Sequence, residues 1–128
     1  MGIAFIKTSV VYFVIGVGFG LYIGIANQFQ FASAHAHINL LGWVSSAIAG
    51  LVYLQVPRLG STKLAKAHFW LYFVGVPILT GAMVLFGLGM HNVGGPLSGV
   101  GGILIVVSVL LFAINVFVHL TPSAVRSK

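Results

Sequence analysis

The sequence contains no aspartate, no glutamate and no cysteine among its 128 residues. Without cysteine there are no disulfides, iron–sulfur clusters or thiolate metal sites, so five histidines are the strong ligands left beside three methionines. Without acidic side chains, no carboxylate is on hand to deliver protons to a reduction that consumes them. Charge of any kind is scarce: 5% of residues are charged and 59% are hydrophobic, far outside the makeup of a soluble domain. The composition is that of an all-α integral membrane protein whose first partner is the lipid bilayer. Six basic residues scattered among apolar runs form no basic face, which excludes nucleic acid as a partner.

At about 20 apolar residues per span, the length accommodates about four spans in a single transmembrane domain over 1–128, with no separate soluble domain. The spans are expected over about residues 4 to 27, 35 to 56, 64 to 90 and 99 to 120. Pro57, Gly60 and Ser61 punctuate the second connection, and Gly94, Gly95 and Pro96 the third. Pro77 lies inside the third span, where a kink rather than a break is expected. The opening run, with Lys7 ahead of it and "ASA" at 32 to 34, imitates a signal peptide. It is longer than a typical signal core and reads as a retained first span.

Threading four spans places Lys7, Arg58, Lys63, Lys66, Arg126 and Lys128 on one side and leaves the other two connections without a basic residue. That asymmetry puts both termini in the cytoplasm. It also sorts the histidines, with His35, His37 and His91 near the outer surface and His68 and His119 near the inner one. Gly16, Gly20 and Gly24, and again Gly42, Ser46 and Gly50, recur every four residues, a pattern that lets helix backbones approach closely.

The segment "ASAHAHINLLGW" carries the chemistry. On a helix, a spacing of two rotates a side chain by about 200°, so His35 and His37 point to nearly opposite flanks and cannot easily chelate one metal. Asn39 stands one turn after His35, where it can orient an imidazole, and Trp43 follows. The residues alone leave two readings: ligands of a metal or heme, or wetted interfacial side chains. His119, ahead of Thr121 and Pro122, reads as a favourable charge at a helix C-terminus.

The block "HAHINLLGWVSSAIAGLVYL" resembles the ligand-bearing helices of subunit I of the heme-copper oxidases and the related nitric oxide reductases, in which an H-x-H pair serves two hemes. The next span, from "AKAHFWLYFVGVP" to "LFGLGM", resembles the helix that follows the H-x-H helix there, so order and spacing agree across roughly residues 30 to 92. The resemblance implies that His35 and His37 are axial ligands of heme b, His37 the more strongly because "AHINLL" is also similar to the low-spin heme helix of the nitric oxide reductases. His68 falls in the "HFW" signature, away from heme, and with Tyr72 reads as packing. That subunit has twelve spans in three arcs of four. A chain resembling one arc implies a homotrimer that rebuilds the ring, with iron held between His35 of one copy and His37 of the next.

Departures from the family narrow this. The intramembrane carboxylates of proton-pumping oxidases are missing, which excludes pumping by that mechanism. Only His91 remains on the outer side to join the pair at a copper centre. The arginine pair near the heme propionates is replaced by "GMHNVGG", where His91 and Asn92 are candidate hydrogen-bond donors and a plain loop histidine is the other reading. The leading expectation is a bis-histidine heme b protein of the cytoplasmic membrane, passing electrons to or from an extracytoplasmic redox partner. The alternatives are an oxygen or nitric oxide reductase or gas-sensing site on a five-coordinate heme, with or without copper, and heme or copper binding without turnover. The set of candidate cofactor residues is His35, His37, Asn39, Trp43 and His91.

Overall fold

Four apolar runs fold into four helices. The computed structural model describes residues 1–122; Arg126 and Lys128, two of the cations in the charge asymmetry, lie outside the described residues. The helices are α1 (Gly2–Ala26), α2 (Phe29–Gln55), α3 (Lys63–Gly87) and α4 (His91–His119), each long and apolar enough to cross a membrane. The chain is thus an all-helical, multi-pass membrane protein.

The ends of the helices have local causes. α1 stops at Asn27, which takes a left-handed conformation (φ 54°) and returns its N–H to the Ile23 carbonyl, a role asparagine tolerates. A short turn, Pro57–Gly60, links α2 to α3. Thr62 caps α3, its hydroxyl accepting the Ala65 N–H at 3.0 Å. α3 runs unbroken through Pro77.

Two boundaries differ from the expectation. α2 begins at residue 29 rather than 35, and α4 at 91 rather than 99. Packing accounts for both, and at the start of α4 it overrides the turn signals of Gly94, Gly95 and Pro96. Phe31 lies so close to α3 that a β-carbon on Gly87 would come within 2.5 Å of its ring, and one on Gly94 would meet the Ala82 carbonyl at 3.0 Å. Gly94, Gly95 and Pro96 therefore sit inside the first turns of α4 instead of forming a loop.

α2 is not a uniform helix. It opens with a 3₁₀ turn (Phe29–Phe31), is α-helical over Ala32–His37, widens to a π-helix over Ile38–Ser45 and returns to α over Ser46–Gln55. A π segment of this length is rare. The carbonyls it displaces are met by hydroxyls: Ser45 donates to Leu40 O (2.8 Å), Ser46 to Leu41 O (3.1 Å) and Tyr72 of α3 to Leu41 O (3.2 Å).

Small residues bring α1 and α2 together. A β-carbon on Gly42 would fall 2.5 Å from the Tyr12 ring, and one on Gly50 would fall 2.9 Å from Ile6. Gly16 and Gly20 have the same role, whereas Gly24 faces open space. α3 and α4 pair similarly, with Gly101 against the backbone of Leu79. The core where the pairs meet contains Phe5, Tyr53, Leu59, Tyr72 and Val76, and the amine of Met1 reaches the Gly60 carbonyl at 3.2 Å, which seats the start of α1 beside the α2–α3 turn. Only 17% of the most apolar window of α1 and 22% of that of α4 is buried, so most of their apolar surface faces outward, as lipid-facing helices require.

Candidate functional site

The H-x-H pair sits where α2 turns from α to π geometry: His37 ends the α-helical piece and the wider segment starts at Ile38. Both imidazoles are half-buried. Their surroundings are unlike.

His35 lies against α1. A β-carbon on Gly20 would fall 2.6 Å from its Cε1, and one on Gly16 would fall 2.6 Å from Asn39 Oδ1, so the two glycines form a socket for the pair. Within the socket Asn39 donates its amide nitrogen to the His35 carbonyl at 2.9 Å, and the same nitrogen lies 3.3 Å from His35 Nδ1. A carbonyl only accepts, so the amide orientation is set. Its remaining N–H faces Nδ1, which assigns the proton of a neutral His35 to Nε2.

His37 has the opposite arrangement. Its Nδ1–H donates to the Ser33 carbonyl at 2.9 Å. That bond fixes the tautomer in which Nε2 carries a lone pair, and it is the orientation that metal-ligating histidines use. The donor chemistry at His37 thus fits an iron ligand, and the carbonyl of Ser33 is a part of the site that the residue pattern did not reveal.

The remaining candidates disperse. Trp43 stacks on Phe13 of α1, ring centroids 3.9 Å apart, which continues the α1-facing stripe of His35 and Asn39. His91 is the first residue of α4, exposed and against the ring of Phe86 at 5.3 Å, not in a loop. Among the described residues no three of His, Cys, Asp or Glu stand close enough to hold a metal ion, so one chain does not bring His35, His37 and His91 together as a copper set. His119 ends α4, with Nδ1 donating to Asn115 O at 3.2 Å in the last turn.

His68 packs in the core, as expected, and is also hydrogen-bonded there. It is 2% exposed, ringed by Phe5 (4.7 Å) and Phe112 (5.0 Å), and its Nδ1 is hydrogen-bonded to the Tyr53 hydroxyl at 2.8 Å. Tyr53 lies across the α2–α3 turn, and no spacing rule links it to His68.

The chain is similar, at 35% identity over 60 residues, to cytochrome c oxidase subunit 1 of Rhodobacter capsulatus; the match covers 42% of this chain and 11% of that protein. The chain therefore spans a small fraction of the length of the relative it matches. No protein-family model matches the chain, and no solved structure matches it significantly.

Proposed function

We propose that this chain is a heme b protein of the cytoplasmic membrane, that His37 ligates the iron through Nε2, and that it carries electrons. The observation behind this reading is the bond from His37 Nδ1–H to the Ser33 carbonyl, 2.9 Å long, which presents an unprotonated Nε2 on a half-buried ring. The partial likeness to an oxidase subunit I supports the same chemistry. Bound heme supplies a one-electron couple, tuned by its ligands and by burial among apolar helices. The chain's own residues hold the ring of His37 through the Ser33 carbonyl.

In this reading the chain acts as a homotrimer. One copy leaves most of α1 and α4 uncovered, and His35 of a neighbouring copy would supply the second imidazole, which requires its proton to move from Nε2 to Nδ1 and the Asn39 amide to leave Nδ1. Two imidazoles would leave no open position on a bound heme, which favours electron exchange with an extracytoplasmic partner over gas chemistry. Native mass spectrometry of the detergent-solubilised protein is expected to give three chains per particle; a monomer or dimer removes the shared site.

A second reading rests on the Asn39 contact. With Nδ1 facing the Asn39 amide at 3.3 Å, His35 presents an Nε2–H, a donor rather than a ligand. That polarity suits a five-coordinate heme whose open face binds oxygen or nitric oxide beside a hydrogen-bond donor. The optical spectrum of the purified protein separates the readings. Sharp low-spin bands unmoved by carbon monoxide support electron transfer, and a high-spin spectrum shifted by carbon monoxide supports gas binding. A protein with no Soret band overturns both.

A further inference from the structure

Between α1 and α3 lies a groove of about 510 Å³. Val11 of α1 and Phe73 of α3, 57% and 44% exposed, form its rim, and Ile38 of α2, 7% exposed, forms its floor. Gly81 keeps the α3 wall low, since a β-carbon there would meet nothing within 4 Å. The rim belongs to outward apolar helix faces, so the groove opens to hydrocarbon.

The groove is charged at one end only. On α1 it extends from Lys7 to Ile15, about 12 Å of helix axis. Because α1 has 25 residues, Ile15 stands beside its midpoint, and the groove covers most of the depth of one leaflet, about 15 Å. Lys7 is exposed. It lies at the end of the bundle where the Met1 amine meets the Gly60 carbonyl at 3.2 Å, the end that also carries Arg58, Lys63 and Lys66. From that depth a lysine lays its methylenes on apolar surface and brings its ammonium up to the headgroups.

The counter-charge for Lys7 must come from outside the chain. The sequence has neither aspartate nor glutamate, so a second copy laid on the groove would cover its apolar walls but bring no carboxylate side chain to the ammonium. A phospholipid supplies both parts, a phosphate at the depth that Lys7 reaches and a hydrocarbon chain for the walls below it. A choline headgroup would set its own cation among Arg58, Lys63 and Lys66, whereas an anionic headgroup would not. The volume lies within the roughly 300–1,000 Å³ of ligand-sized pockets. We propose that the groove between α1 and α3 seats an acyl chain of an anionic phospholipid whose phosphate pairs with Lys7. None of the candidate cofactor residues lines the groove, so the inference stands or falls apart from the heme reading.

The test is native mass spectrometry of the purified full chain, delipidated in detergent and titrated with phosphatidylglycerol or with phosphatidylcholine of the same acyl chains. Phosphatidylglycerol is expected to bind at least about fivefold tighter, the scale of one lysine beside an anionic headgroup. Lys7→Gln is expected to remove that preference, whereas Lys63→Gln, the same change of charge outside the groove, is expected to keep it. Gly81→Phe fills the deep end where there is room for a side chain, changes no charge, and is expected to weaken phosphatidylglycerol binding at least about fivefold. Equal affinity for the two lipids, or the same loss in Lys63→Gln as in Lys7→Gln, marks a diffuse basic surface and overturns the proposal. Lipid binding unchanged in Gly81→Phe overturns it as well. If no lipid is retained and Gly81→Phe instead lowers the number of chains per particle, the occupant is a second copy and the proposal fails. A colourless protein that keeps the lipid preference fails the heme reading alone.

Discussion

The imidazole of His35 rests on the backbone of α1 at Gly20, where a single methyl group would come within 2.6 Å of Cε1. The ring cannot simply swing aside, because the Asn39 amide is bonded to the His35 carbonyl and faces the ring. Gly20→Ala is therefore expected to destabilise the α1–α2 pair by about 1–3 kcal/mol, the usual effect of overpacking. Gly24→Ala, at a position with nothing nearby, is expected to leave stability unchanged. Thermal unfolding in detergent compares the two, and equal effects contradict the socket.

Asn39 sets the proton of His35. Replacing it with leucine removes the donor that faces Nδ1 and is expected to erase the preference for the Nε2–H tautomer. Nitrogen-15 imidazole shifts of the heme-free protein read this directly. A tautomer that survives Asn39→Leu means that the ring is held by something else.

The spacing of four between His35 and Asn39 already placed these side chains on one face, and the glycine repeats pointed to close backbone packing. The π segment over Ile38–Ser45 was not legible. "INLLGWVS" carries no periodic sign of it, because the hydroxyls that meet its freed carbonyls include one from Tyr72, which only the fold brings to Leu41. The same cause hid the difference between the two histidines. A rotation of about 200° per two residues gives opposed directions, but it does not show that one ring meets a carbonyl and the other an amide. The helix start at His91 was missed because turn-forming residues are tolerated in a helix when packing demands small side chains, and the start at Phe29 because the contact of Phe31 with Gly87 exists only in the fold.

Tyr53→Phe removes the hydroxyl that pairs with His68 in a buried aromatic setting. The orphaned Nδ1 is expected to cost about 1–3 kcal/mol of stability, with the heme spectrum unchanged because neither residue is a proposed ligand. A loss of pigment without a loss of stability contradicts this placement.

His91 lies on Phe86 at the start of α4 and joins no group of three metal-binding side chains among the described residues. His91→Ala is expected to leave both pigment and metal content as they are. Copper in the purified protein that disappears with this substitution restores the heme-copper alternative.

The most direct test is to replace His37 with alanine, measure the heme retained after purification, and then add imidazole. Lost or altered low-spin bands that return with free imidazole are the expected result, because only the ligand to iron has been removed. Full pigment with an unchanged spectrum in His37→Ala contradicts the assignment of this residue.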